Sequence, residues 1–433
     1  MSSTSMSLET LQYLLQHMDA NRRFEILNRC PSLRELEKTI PLKIHSLKFS
    51  EHAVSVNDTK YSIGIVRKCN VGKAHKLVEL DNQRGGVQYE VDRYGIEDKS
   101  DATTVTLGDV ELNKRAISRF GMPQGFELQF AELHISELKA KIQISEAQLL
   151  ELKERRPNAN CDELENILEA DRAKLFAYQC RQTNIPPNYD NFLQLTTSTR
   201  AESFFERKTI ERYHHNKKFR EAVKQLNTVL FGGRSCPIHV KEMKFSNRHP
   251  HWVIRLPENV KFRVESLDFF GRVGQMFEAL APIIHESSYP LKQIQLSMPR
   301  IEDVYHPIVQ SAGILKALMS LDYNLEVLFS ITNPRVHVRS SIPPRTLGAI
   351  IRNWIEYKRT IGTEYIFDYG GEPWYMDDME DVLKNFHGVP IDDKTVVFPM
   401  SEVIQLKISF EQFPEFAPNA MYAVKFLTRA IEQ

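Results

Sequence analysis

The feature that most constrains this chain is a strand motif that recurs with its apolar positions in step. Pro41-Leu42-Lys43-Ile44-His45-Ser46-Leu47-Lys48-Phe49-Ser50 and Pro237-Ile238-His239-Val240-Lys241-Glu242-Met243-Lys244-Phe245-Ser246 match at every apolar position without a gap. A third segment, Pro290-Leu291-Lys292-Gln293-Ile294-Gln295-Leu296, keeps the spacing seen in Ile44, Leu47, Phe49 and in Val240, Met243, Phe245. Such a strand points its last two apolar side chains into a core while the first fills the bend that enters it. No unit buries its apolar face alone, so neighbours must stack.

That spacing is the strand signature of a leucine-rich repeat, an architecture that offers a concave sheet to partners. Pro237 and Pro290 stand 53 residues apart, against roughly 20–29 in a regular array. The expectation is therefore an irregular, leucine-rich-repeat-like array of strands and helices with long helical connections. An alternative stays open, that short strands begin alike because proline is tolerated at a first strand position.

Hydrophobic periodicity predicts an α+β or α/β chain in four parts. Residues 1–40 form a helical head, with Leu8, Leu11, Leu14, Leu15 and Met18 on one stripe. Asp19 caps a second helix carrying Phe24, Ile26 and Leu27, and Pro31 opens a third before Leu33. Residues 41–115 form a β-rich unit, in which Asn57-Asp58 turns Ala53–Val56 back on Tyr61–Val66. Over 120–182, Leu128, Ala131, Ile135, Leu138, Ile142, Ser145, Leu149 and Leu152 alternate spacings of three and four, and Asp162 caps a second helix. This part is a folded-back helical hairpin or a short coiled coil, giving a monomer or a weak homodimer. Residues 188–433 form the repeat-like array, with a strand at Phe192–Thr196, a basic helix over 216–230 and helices at Arg272–Glu286, Pro307–Ser320 and Pro344–Thr360.

Composition narrows the function. Lys plus Arg and Asp plus Glu both number 56, so the basic excess of a nucleic-acid-binding chain is missing. The five cysteines, Cys30, Cys69, Cys161, Cys180 and Cys236, make no Cys-x-x-Cys pair and are expected as reduced thiols. With no signal peptide and no apolar run near the ~20 residues of a bilayer span, a cytoplasmic or nuclear location without membrane association is expected. Phosphate-loop, dinucleotide and nucleophile-elbow motifs are absent. His214-His215 and His249-Pro250-His251 lack helical ligand spacing, and Asp377-Asp378-Met379-Glu380-Asp381 lacks the glycine and final Glu of a calcium loop. No catalytic, cofactor or metal residues are assigned, and a non-enzyme is expected.

An ordered series of blocks resembles an expanded nematode family of uncharacterised, F-box-like proteins. It runs through Arg29-Cys30-Pro31-Ser32-Leu33-Arg34, Val56-Asn57-Asp58-Thr59-Lys60-Tyr61, Gly85-Gly86-Val87-Gln88-Tyr89, Phe231-Gly232-Gly233-Arg234-Ser235 and Ser287-Ser288-Tyr289-Pro290-Leu291-Lys292. The resemblance implies a domain of unknown function with an F-box-like head and a C-terminal part similar to F-box-associated domains. It further implies that Leu8, Leu11, Leu14, Leu15, Met18, Phe24, Leu27 and Leu33 dock a Skp-type adaptor of a ubiquitin ligase while the C-terminal sheet holds an unknown target protein. The head departs from the pattern in opening Ser7-Leu8 in place of Leu-Pro, and in having Pro31-Ser32-Leu33-Arg34 where an F-box generally puts a Trp. Leu347-Gly348-Ala349-Ile350-Ile351-Arg352-Asn353-Trp354-Ile355 resembles a helix of F-box-associated domains; its stripe of Leu347, Ile350, Ile351 and Trp354 makes Trp354 a core residue. Outside the resemblance, the stripe of Leu128, Ile135, Leu138, Ile142, Leu149 and Leu152 is the candidate surface for self-association in a scaffold without a ligase link.

Overall fold

A computed structural model describes residues 7–72, 74–98, 100, 104–112, 127–156, 160–200, 206–246, 252–340, 342, 344–369, 388–392, 394–411 and 422–431, with 127–133, 206, 344–345, 369, 410–411 and 422 described by backbone alone. The strands are β1 (Lys43–Ser50), β2 (Ala53–Val56), β3 (Thr59–Cys69), β4 (Val110–Leu112), β5 (Tyr189–Arg200), β6 (Glu206–His214), β7 (Ile238–Phe245), β8 (Trp252–Ile254), β9 (Phe262–Phe270), β10 (Gln293–Ser297), β11 (Ile314–Leu318), β12 (Arg335–Arg339), β13 (Glu364–Tyr369), β14 (Val389–Asp392), β15 (Thr395–Pro399), β16 (Ile404–Glu411) and β17 (Tyr422–Ala430). The helices are α1 (Leu8–His17), α2 (Ala20–Arg29), α3 (Arg34–Thr39), α4 (Lys76–Gln83), α5 (Glu127–Arg155), α6 (Asp162–Thr183), α7 (Phe219–Phe231), α8 (Val273–Leu280), α9 (Ile301–Val304), α10 (Pro307–Gln310), α11 (Leu325–Ser330) and α12 (Pro344–Glu356). The chain divides into two compact units. The first takes Met1–Thr39, Phe49–Ser235 and His249–Val260, and the second takes Ile40–Lys48, Cys236–Arg248 and Lys261–Gln433. This division cuts across the four expected parts, because β5, β6 and α7 belong with the head.

In the first unit β2, β3, β5 and β6 form an antiparallel sheet in that order. The expected turn is there: Asn57 takes φ 53°, a left-handed conformation that asparagine tolerates. Helix α7 lays Phe219, Ala222 and Val223 over Ile63, Ile65 and Leu193. A Cβ on Gly64 would come within 2.2 Å of the Gly85 carbonyl oxygen. The bare position lets Val87 exchange two backbone hydrogen bonds with Ile65, at 2.8 and 3.0 Å.

The head packs by a buried ion triad as well as by apolar contact. Leu15, Phe24 and Leu27 are buried, and the Phe24 ring meets Phe231 edge-on at 6.5 Å. Arg23 on α2 stands 2.6 Å from the Glu37 carboxylate on α3, and Arg234 reaches the same carboxylate at 2.9 Å. All three side chains are 5 % exposed or less.

Helices α5 and α6 run antiparallel as a hairpin, tied by Lys153–Glu165 at 2.8 Å and Arg172–Glu146 at 2.7 Å. The self-association candidates Ile135 and Ile142 are buried, as is Leu168 on α6, while Leu138, Leu149 and Leu152 are half-buried. The hairpin thus covers its own stripe. The Leu128 side chain lies outside the described residues.

Asp109 holds a second buried centre in this unit. Its carboxylate accepts from the Thr106 N–H at 2.9 Å, Lys224 Nζ at 3.0 Å and Arg255 Nη1 at 3.0 Å. Lys224, on the helix expected from sequence as basic, is one of its partners. Burial pushes the Asp109 carboxyl up, but the Thr106, Lys224 and Arg255 hydrogen bonds outweigh it and leave the carboxyl below the usual range. A depressed folded pKa contributes stability above the unfolded value near ~3.9 that is lost as pH falls through the folded value. Asp109→Asn is therefore expected to lower the urea midpoint at neutral pH. That deficit relative to the parent should shrink as the solution is acidified below about pH 4. A deficit constant with pH would contradict the assignment.

The second unit carries the sheet order β14-β15-β16-β17-β13-β12-β11-β10-β9-β7-β1. From β7 through β9, β10, β11 and β12 to β13 every neighbour is parallel; β13, β17, β16, β15 and β14 then pair antiparallel. The two best-matched motif copies lie side by side, the His239 N–H donating to Leu42 O at 2.9 Å. Between the second and third copies sits one not anticipated, β9, with Phe262, Val264, Leu267 and Phe269 buried in the same pattern. The 53-residue interval therefore spans two rungs. Residues paired across the parallel ladder stand 24 apart (Ile238 with Phe262), then 27 (Ser266 with Gln293), 21 (Gln293 with Ile314), 21 (Leu315 with Val336) and 29 (Arg335 with Glu364).

Helices cover one face of these strands. Phe277 of α8 meets Phe269 at 5.6 Å, and Trp354 of α12 meets Tyr365 at 4.8 Å and Phe426 at 5.4 Å. The expected helix at Arg272–Glu286 is shorter, Val273–Leu280. That expected at Pro307–Ser320 is the single turn α10 followed by β11, because Leu315 and Ala317 alternate into the core.

Candidate functional site

Successive strand residues point to opposite faces, so the parallel strands that send Leu267, Leu296 and Val338 toward the helices send polar residues the other way. In register across five strands stand Lys244, Asp268, Gln295, Lys316 and His337. All but His337, which is buried, are half-buried. Glu242, Arg339 and Asp368 flank the row: Lys244 Nζ is 2.9 Å from Glu242, and His337 Nε2 is 2.5 Å from Asp368 Oδ1, with Arg339 Nε 3.8 Å from Asp368 Oδ2.

The electrostatics show that this face is held partly out of bulk water. Burial pushes the Asp268 carboxyl above its usual range, against the pull of Lys244, the Gln295 hydrogen bond and Arg339. Burial also pulls the Lys316 ammonium down, with Arg339 and Lys244 adding to it against Glu242. Both shifts favour the uncharged form, as desolvation dictates. Glu242 goes the other way, because the Lys244 hydrogen bond and charge outweigh its burial. A mixed row of this kind offers both charges and both donors and acceptors along one line across the sheet. Asp268 and Lys316 stand two strands apart, roughly 10 Å at the usual strand spacing, too far for direct proton transfer.

The head residues proposed to meet an adaptor fall into three groups. Leu15, Phe24 and Leu27 are core, Leu11, Met18 and Leu33 are half-buried, and Leu8 and Leu14 are 62 % and 42 % exposed. Among the described residues no three His, Cys, Asp or Glu side chains are placed to hold a metal ion, and no helix is long and apolar enough to cross a membrane. His249, His251 and the Asp377–Asp381 cluster lie outside the described residues. The five cysteines carry free thiols.

The polar row emerges only when the strands are set in register, and β9, β11 and β12 lack the repeated motif that would have aligned them. Residues 218–371 match the family model of a domain of unknown function, DUF3557. The matched stretch contains every residue of the row. No curated protein and no solved structure matches the chain.

Proposed function

We propose that the protein is a non-catalytic binding protein whose second unit is a leucine-rich-repeat-like array that holds a target protein on its polar sheet face. The observation that carries this reading is the row from Lys244 to His337, five neighbouring parallel strands each presenting a polar side chain away from the helices. Ladder spacings of 21 to 29 residues fit the roughly 20–29 of leucine-rich repeats, and such arrays bind through their strand face. In this reading the head is F-box-like and docks a Skp-type adaptor, making the protein a substrate receptor. Leu8 and Leu14 are its contact residues, since Leu15, Phe24 and Leu27 are engaged in the core. A self-associating scaffold is less favoured because the α5–α6 hairpin covers its own apolar stripe, and an enzyme because the perturbed groups of the sheet face do not converge.

The test is pull-down of a purified Skp-type adaptor by the full chain. We expect retention by the parent and loss on Leu8→Asp with Leu14→Asp, at unchanged circular dichroism because both positions are exposed. An adaptor that fails to bind the parent removes the ligase role. For the sheet face, Asp268→Lys with Lys316→Glu should release proteins that the parent enriches from native extract, identified by mass spectrometry; an unchanged set would refute the sheet face as the binding surface.

A further inference from the structure

The first unit contains a cleft of about 1640 Å³ that the reading above does not use. Its floor is the sheet, with Tyr61, Thr197 and Thr209 in one row and Ile63, Leu195 and Glu211 in the next. Ala222, Leu226 and Val229 of α7 form an apolar wall, and α2 lines the head end. Its open side is β6, the last strand of the sheet, on which Ile210 and Tyr213 are exposed.

The backbone of β6 is half-used. The His215 N–H donates to Asn191 O at 3.2 Å, and antiparallel ladders repeat every second residue. The N–H groups of Tyr213, Glu211, Thr209 and Arg207 therefore face β5, and those of Arg212, Ile210 and Lys208 face outward. Among the described residues nothing pairs with that outer edge. An unpaired edge of this length is a template for a further strand.

Charge selects the occupant. Ten Lys and Arg line the cleft against five Asp and Glu, and several of those carboxylates are engaged: Glu25 by Arg29 at 2.7 Å, Glu37 by Arg23 and Arg234, Glu211 by the Tyr213 hydroxyl at 2.5 Å. Arg34, Lys68, Arg207 and Lys217 make no ion pair with a described carboxylate. The geometry points to this cleft as the docking site of an acidic peptide in extended conformation, added to β6 as a further strand. A nucleic acid would satisfy the cations but would leave the outward N–H and C=O groups of β6 and the apolar wall of α7 unmatched.

The test uses the full chain and a fluorescein-labelled peptide of alternating Glu and Val, nine residues long like β6, followed by fluorescence polarisation. Binding is expected, with a Lys/Val counterpart about tenfold weaker or worse, as ~1.4 kcal/mol of lost charge complementarity gives. A peptide N-methylated at alternate residues should not bind. Ile210→Pro should abolish binding while the unit stays folded, because the lost N–H faces outward, where an edge strand tolerates proline. Arg207→Glu with Lys217→Glu, two exposed positions, should weaken binding about tenfold and stands if the proline variant fails to fold. No binding of the Glu/Val peptide, unchanged binding by a folded Ile210→Pro, or tighter binding of a thymidine oligonucleotide each overturns the inference.

Discussion

Glu37→Ala is expected to destabilise the first unit by about 3–5 kcal/mol, the cost of removing one partner from a buried ion pair. Here the loss strands two cations at once. Arg23 donates to the Glu37 carboxylate from Nε at 2.9 Å and to the Glu37 carbonyl oxygen at 3.2 Å, and Arg234 donates to both carboxylate oxygens at 2.9 and 3.1 Å. With Glu37 truncated, Arg234 keeps from this set only a 3.4 Å bond to Leu230 O. Two guanidiniums facing one cavity cannot be rehydrated without opening the packing of α2 on α3, so we expect hydrogen-exchange protection to fall over 20–39 and 219–234 as well as a lower urea midpoint. Replacing all three residues by methionine should recover most of the loss, since a well-packed apolar substitute for a buried ion cluster is often neutral or better. A single-variant cost below about 1 kcal/mol, the level of a surface pair, would mean that the triad is solvated in solution.

That triad shows where sequence reasoning stops. Glu37 and Arg234 lie 197 positions apart, and charged residues on an amphipathic helix read as its solvated side. Local periodicity carries the stripe of α12, the turn at Asn57 and the separate stripes of α5 and α6, which all rest on neighbours within a few residues; that α5 and α6 fold back on each other rests on pairs 12 and 26 residues apart. β6 did not come through, because Arg207-Lys208-Thr209-Ile210-Glu211-Arg212 has no alternation to betray a strand; an edge strand exposed on both faces has no need of one. β11 was hidden in a helical window because Gly313, which marks the break after α10, precedes a strand of only five residues. The polar row across β7 to β12 was invisible for a different reason. Each of its residues is an unremarkable polar position in its own strand, and the pattern exists only across strands.

Trp354→Ala is expected to cost the second unit about 3–5 kcal/mol, the range for deleting a large buried aromatic. The indole touches more than an apolar pocket. Trp354 Nε1 donates to Thr428 Oγ1 at 2.9 Å, linking α12 to β17, and the Arg359 guanidinium lies 5.5 Å from the Trp354 ring and 5.1 Å from that of Tyr365. Arg359 in turn donates to Ile331 O at 2.6 Å, as does the Tyr365 hydroxyl at 2.9 Å. Trp354 thus ties α12 to the junction where the sheet changes from parallel to antiparallel, and Arg359 and Tyr365 carry the connection on to the turn before β12. Trp354→Phe separates the contributions: it keeps most of the buried ring but leaves the fully buried Thr428 hydroxyl without its donor, at about 1–3 kcal/mol. Thermal unfolding followed by far-ultraviolet circular dichroism should rank parent above Phe above Ala. If Trp354→Ala binds a sheet-face target as the parent does, yet melts lower, Trp354 supports the fold from beneath; selective loss of target at equal stability would instead place it in the contact surface.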